Sequence, residues 1–302
     1  SGSGVSTTSN LAAASLGSET SGSILSPSSA NSLVGMKPTI GNVSRAGIVP
    51  ISSTLDTAGP MTKFVIDNIL IYNAINDFDP LDDYSVENYD IRIKEVVDNK
   101  LEDYTIGYYK SFYERDSLYK NAIDFLVEEG VELQVIDAPQ IRLEGFAKIL
   151  DEDMRYDLRS YLFFYGNKNL KVEDISSIIK YNEMDSVERA LYGQGIFKKI
   201  IQDTMSINDF EDLKFELMNK GNEFFDIPMD KYNLDAVLSI NNYHAGYAAM
   251  AHNPCLTVPM KIRKNNEPAG LTIIAKSFQE QKLYEIGYFF EKNYMGRIPP
   301  KN

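Results

Sequence analysis

The sequence predicts an α/β protein whose sheet is covered by helices on both faces. Three observations predict it. Residues 105 to 135 read as strand, helix, strand. From Leu234 onward the chain returns to strand-like runs and one last helix. Hydrophobic residues make up 43% of the 302, which is enough apolar material for a full core. Strands and helices that interleave in this way call for a sheet with helices on each side.

Three zones differ in composition. The first, to about Ile75, is rich in Ser, Gly, Thr and Ala and carries little charge. Composition alone would allow a flexible linker over Ser1 to Ser29. Against that stands Asn10-Leu11-Ala12-Ala13-Ala14-Ser15-Leu16, a small helix-compatible run expected to pack in a core. The pieces 33–39 and 47–51 are short apolar runs punctuated by Gly and Pro, expected as tight buried loops and short strands. The second zone, about Asn76 to Asn233, is charged and aromatic. Thr105 to Tyr109 reads as a strand. Asp116 to Glu129 places Leu118, Ala122, Phe125 and Leu126 at helical spacing, with Gly130 where a C-terminal glycine belongs. Val131 to Val135 alternates as a half-buried strand. Residues 143–164, 172–181 and 207–219 read as further helices, and the acid-rich stretch 83–103 as a solvated face or loop. In the third zone, 234–240, 255–259 and 269–274 read as strands and 279–293 as a helix.

Carboxylates outnumber Lys plus Arg by 43 to 30, for a net charge of −13. That balance argues against a protein that grips phosphate backbones, so no nucleic-acid partner is expected. A neutral or cationic small substrate stays open. A single cysteine, Cys255, excludes an internal disulfide framework and suits a reducing, cytoplasmic location. With only His244 and His252, a His-rich metal site is not expected, and both read as structural histidines. The most apolar stretch, Phe64 to Ile75, contains Asp67, Asn68 and Asn73, so no membrane-spanning helix is expected. The start has neither a basic nor an apolar signal region and no Met, so the chain is expected to begin inside something longer. G-x-S-x-G, a Walker A loop, H-E-x-x-H and paired C-x-x-C are all absent.

The informative segment is Gly17-Ser18-Glu19-Thr20-Ser21-Gly22-Ser23-Ile24-Leu25-Ser26-Pro27. Small residues at 20 to 23 let backbone N–H groups converge in a tight turn. A serine ending such a turn can attack a carbonyl while neighbouring N–H groups hold the oxyanion. Ser/Gly turns are common, so the turn alone names no reaction.

The segment resembles the core of the amidase signature family, Gly-Ser/Thr-Asp/Glu-Thr-x-Gly-Ser-Ile-x-x-Pro. The likeness continues in register through residues 34–39, then Gly41, Val43-Ser44-Arg45 and 47–50, then Leu55-Asp56 and Gly59-Pro60-Met61. It resumes at 234–237, 254–259 and 268–272. Tyr192-Gly193-Gln194 is similar to the subgroup of peptide amidases and cyclic-amide hydrolases. The resemblance implies one α/β/α domain around a large mixed sheet over 1–302, with 1–75 as signature core, 76–233 as middle region and 234–302 as returning strands. It implies a Ser–Ser–Lys triad, in which a neutral lysine and a middle serine on a cis peptide deprotonate the nucleophile. Ser23 maps onto that nucleophile, Thr20, Ser21 and Gly22 onto the oxyanion donors, and Glu19 onto a position that supports the turn.

The sequence departs from the pattern at Ser21, where the family often has Gly, and at Leu25, where it often has Arg. The middle serine and the lysine would lie before Ser1. Among residues present, Ser1 or Ser3 could serve as middle serine only with shortened spacing. Lys37 falls in a structural block, Asp56 either lines the pocket or caps a loop, and Cys255 reads as core. The resemblance implies amide hydrolysis on a small-molecule or peptide amide, without metal or organic cofactor. The pocket walls would come from 241–247 and the second zone. The alternatives are the amidase subunit of a tRNA-dependent amidotransferase and a non-catalytic fragment. The missing upstream segment is itself an expected partner, and without it a truncated sheet is expected to expose apolar edges.

Overall fold

The computed structural model describes residues 1–167 and 169–300. Helix α1 (Gly2–Thr8) leads into β1 (Ser15–Glu19), α2 (Leu25–Ala30), β2 (Val34–Lys37), β3 (Thr57–Thr62) and α3 (Val65–Ile75). After α4 (Ile93–Asp98) come β4 (Thr105–Tyr109), α5 (Lys110–Arg115), α6 (Ser117–Glu128) and β5 (Glu132–Ile136). A helical stretch follows: α7 (Phe146–Tyr165), α8 (Ile175–Glu183), α9 (Ser186–Arg189), α10 (Gly195–Gln202) and α11 (Ile207–Tyr232). The chain closes with β6 (Ala236–Ile240), α12 (Ala245–Met250), β7 (Cys255–Ile262), β8 (Pro268–Ile274) and α13 (Glu280–Tyr294).

The strands form one mixed sheet in the order β1-β3-β2-β7-β8-β6-β4-β5. β4 runs parallel to β5 and β6, and the other pairs are antiparallel. The period-two alternation of strands explains how both faces are covered. Leu238, Leu256 and Ile273 join one core with Val65 and Ile69 of α3, Leu126 of α6 and Leu283, Ile286 and Phe290 of α13. Their neighbours Val237, Cys255 and Ile274 join the opposite core with Leu25 of α2 and Phe224, Phe225 and Met229 of α11. The predicted architecture is the observed one.

One close approach holds β3 against β2 near the sheet's edge. Gly59 of β3 pairs with Gly17 of β1, and a Cβ on it would lie 2.0 Å from the Met36 carbonyl oxygen of β2. Backbone cannot give way cheaply. Gly59→Ala is expected to cost ~3 kcal/mol in urea unfolding. A variant as stable as the parent would show that β2 and β3 separate freely.

Most elements lie where the pattern placed them. Asp116 caps α6 by accepting from the N–H groups of Leu118 and Tyr119, and Gly130 follows the helix at φ 84°. Other expectations are corrected. Residues 10–16 do not form a packed core run. Asn10 turns at φ 61°, Leu11 is 80% exposed, and a strand begins at Ser15. Residues 47–51 are not a tight buried piece, since Val49 and Ile51 are exposed. Polar anchors hold that loop instead: Arg45 pairs with Asp82, and Asp56 accepts from the Ile51 and Ser52 N–H groups. The linker reading of 1–29 also fails, because Gly4, Thr7, Ile24, Leu25 and Ser28 are buried. Finally, α11 runs on to Tyr232 through Pro228, past the predicted end at Asn219.

Candidate active site

β1 delivers Glu19 into the interior, where it is 1% exposed. Its Oε2 accepts from the N–H of Ile24 at 2.7 Å and of Leu25 at 2.9 Å. One carboxylate thus closes the turn between β1 and α2. Burial pushes the Glu19 carboxyl up, against the N–H groups of Leu25, Ile24 and Gly22 and the charge of Lys37. Lys37 is fully buried, and its ammonium donates to the carbonyls of Asn253 at 2.9 Å and Pro38 at 3.2 Å.

Within the turn, Thr20 is buried and its hydroxyl donates to Asp56 Oδ1 at 2.6 Å. Since Asp56 Oδ2 also takes the Ile51 and Ser52 N–H groups, this residue caps the 51–56 loop and ties it to the turn. Gly22 adopts φ 115°, a region that favours glycine. A Cβ there would meet Asn242 Nδ2 at 2.8 Å, so the 241–247 segment lies directly against the turn. Ser21 is half-buried and Ser23 is exposed. Among the described residues, the Ser23 hydroxyl and the N–H groups of Thr20, Ser21 and Ser23 make no hydrogen bond within the chain. The arrangement is a rigid, buried frame that leaves one hydroxyl and its neighbouring amides uncommitted. Such a group can attack an electrophile and stabilise the charge that results.

The remaining candidates lie elsewhere. Ser1 is the N-cap of α1 and Ser3 lies within that helix, its carbonyl accepting from the side chains of Ser6, Thr7 and Ser15. Neither bonds Ser23, and the described residues contain no cis peptide. His244 Nδ1 sits 2.9 Å from Ser239 Oγ, and its ring packs 4.4 Å from that of Tyr109. Burial pulls its pKa down to about 3, so the ring is neutral at pH 7. His252 is pulled down to about 4, by burial first and then by the Lys37 charge. Cys255 is fully buried and its thiol pushed up to about 12. No His, Cys, Asp or Glu group among the described residues is arranged to hold a metal ion. No helix among them is long and apolar enough to cross a membrane.

Sequence reasoning missed an acidic support beneath the 51–56 loop. On α7, Asp153 accepts from the Ser52 hydroxyl, and Asp157 Oδ2 accepts from the Ser53 N–H at 2.5 Å. Burial raises both carboxyls, that of Asp157 to about 6, with the Asp153 charge adding to it. The i,i+4 spacing of Asp153 and Asp157 on a predicted helix was the available signal. Asn242 had no such signal beyond its place in the flagged loop.

The chain matches known proteins over nearly its whole length. The Amidase family profile fits residues 1–284. A probable amidase from Arabidopsis thaliana is 30% identical over 100% of this chain and 60% of its own. A glutamyl-tRNA(Gln) amidotransferase subunit from Staphylococcus epidermidis is 26% identical over 97% of this chain and 66% of its own. Among solved structures, an amidase family protein from Bacillus anthracis superposes with a TM-score of 0.91 at 30% identity, over 100% of this chain and 61% of that one. The peptide amidase of Stenotrophomonas maltophilia gives 0.89 at 27% identity, over 99% and 66%. The chain therefore spans about three-fifths to two-thirds of the length of these relatives. Matched profile, shared fold and the Glu19-clamped turn lead to one conclusion: this chain belongs to the amidase signature family.

Proposed function

We propose that the chain carries the nucleophile half of a serine amidase that hydrolyses a carbon–nitrogen amide bond. One observation carries the reading: Ser23 stands exposed at the end of a turn whose frame is buried and clamped by Glu19 and Asp56. In the proposed reaction, Ser23 Oγ attacks the amide carbon as its proton passes to the base relay. The carbonyl oxygen becomes an oxyanion facing the N–H groups of Thr20, Ser21 and Ser23, while the Gly22 N–H is directed at Glu19 and its lack of a side chain keeps the turn open. The C–N bond then breaks, the amine leaves with a proton, and water hydrolyses the acyl ester. The relay follows the family pattern, a middle serine and a neutral lysine, both upstream of residue 1. Asn242 supplies a pocket wall. The likeness to peptide amidase favours a linear or peptide amide as substrate. The S. epidermidis relative favours a second reading, the amidase subunit of a tRNA-dependent amidotransferase. The net charge of −13 weighs against tRNA binding by this chain itself.

The test compares residues 1–302 with a polypeptide extended upstream to the relatives' length. The longer protein is expected to turn over an aryl amide and to carry an acyl adduct on Ser23 by intact mass and peptide mapping. Ser23→Ala is expected to lower its turnover by at least ~10³-fold. Residues 1–302 alone are expected to lack turnover, because an alcohol without a base attacks amides slowly. Unchanged turnover in extended Ser23→Ala would sink the nucleophile assignment. Turnover by 1–302 would sink the upstream relay.

A further inference from the structure

A cavity of about 700 Å³ opens between the 87–92 segment, the start of α13 and the turn after β2. None of the turn residues 19–25 lines it. Its wall includes Glu280, Asn42 and Tyr72, which are 4%, 1% and 1% exposed. Asn42 Nδ2 donates to Glu280 Oε1 at 2.7 Å, and the Thr39 N–H donates to the same oxygen at 2.8 Å. Among the described residues Glu280 has no cationic partner, and Asn42 Oδ1, fully buried, has no hydrogen-bond donor. A buried carboxylate without a counter-charge beside an unsatisfied carbonyl oxygen is costly unless something supplies positive hydrogen-bond donors.

The rim fits the same chemistry. Glu87 and Asp90 add negative charge, while the Arg92 guanidinium is engaged by Glu95 at 2.8 Å. Tyr89 and Phe278 stand exposed beside the opening, at 91% and 57%. Phe278 is held at φ 65°, a rare conformation for a bulky residue, by its N–H bond to Thr39 Oγ1 at 2.9 Å. Aromatic faces above a carboxylate attract organic cations.

We propose that this cavity binds a small organic cation through a primary ammonium group, held by Glu280 and Asn42 Oδ1 and flanked by Tyr89 and Phe278. The ligand is an organic cation rather than a metal ion, since no carboxylate cluster among the described residues is arranged for metal ligation. The proposal does not depend on the amidase reading.

Calorimetric titration of the intact protein with benzylammonium chloride, against neutral benzyl alcohol, tests it. The cation is expected to saturate with a Kd below about 10 mM and the alcohol to show no saturation. Glu280→Gln keeps an oxygen for Thr39 and Asn42 but removes the charge, and is expected to weaken binding at least ~10-fold. Phe278→Ala, at an exposed site, is expected to weaken it ~3-fold or more. Absence of saturable binding, equal affinity for the alcohol, or unchanged affinity in folded Glu280→Gln would overturn the proposal. Should Glu280→Gln not fold, unchanged affinity in Phe278→Ala would overturn it.

Discussion

Glu19→Ala is expected to destabilise the protein by about 3–5 kcal/mol. It removes the acceptor for two buried N–H groups, those of Ile24 and Leu25, at a position that is 1% exposed. Each stranded donor costs about 1–3 kcal/mol, and the emptied space adds a cavity term. It also strips the buried Lys37 ammonium of a nearby negative charge. Glu19→Gln should behave differently. Its amide oxygen can take both N–H groups, and its NH₂ falls where Glu19 Oε1 has no partner. The expected cost is about 1–2 kcal/mol. Acylation of Ser23 in the extended protein should follow the same order. A turn displaced by 1 Å loses about 10²-fold, so Glu19→Ala should acylate at least that much more slowly and Glu19→Gln within a few-fold. Urea unfolding and acyl-adduct rates provide the check. A Glu19→Ala protein as stable as its parent would show that α2 packing, not the carboxylate, shapes the turn.

The fold was legible where apolar residues recur at a fixed period. Strands such as 105–109 and 269–274 bury alternate residues on opposite faces, and that period is written in the chain itself. Errors arose where tertiary contacts override local preference. Gly2 to Thr8 forms α1 from poor helix formers because Gly4 fits against Pro27 and Met61 of neighbouring elements. The alanine run just after it forms none. Gly221 and Pro228 lie past the expected end of the helix at 219, yet α11 continues through them, and Gly221 is required where Met250 and Ala251 come within 3 Å of a would-be Cβ. At the turn, Glu19, Thr20 and Ser23 could be singled out because turn chemistry is local in sequence. Asp56 and the 241–247 segment could be flagged too, but not their contacts with the turn. Asp56 is 36 residues from Thr20, and Asn242 reaches Gly22 from the other end of the chain, contacts that only the folded sheet creates.

Glu291→Gln is expected to change how stability depends on pH, raising it at pH 8 and leaving it unchanged near pH 4.5. Glu291 on α13 accepts from the Val65 N–H at the start of α3, at 3.1 and 3.0 Å. Burial pushes its carboxyl up to about 7; Asp67 pushes the same way, while the Val65 N–H and the Arg297 charge oppose. An unfolded Glu titrates near 4.5, so between pH 4.5 and 7 the folded state holds a proton that the unfolded state has released. The contribution is therefore fully present below about 4.5 and lost as pH rises through 7. At about 1.4 kcal/mol per pKa unit, ionised Glu291 costs the fold ~3 kcal/mol at pH 8. The two histidines carry the opposite sign. His244 and His252 are depressed to about 3 and 4, so their contribution is present above 6.5 and lost as pH falls towards those values. In the parent these trends oppose and flatten the profile. Glu291→Gln removes one side of the balance. It should be ~3 kcal/mol more stable than the parent at pH 8, equal to it near pH 4.5, and should lose stability more steeply on acidification in between. Asp157, pushed up to about 6, is common to both proteins and cancels in the difference. Urea midpoints at the two pH values decide the matter. A difference that stays constant from pH 4.5 to 8 would mean that Glu291 titrates as it does in water, and that α13 meets the start of α3 with solvent between them rather than hydrocarbon.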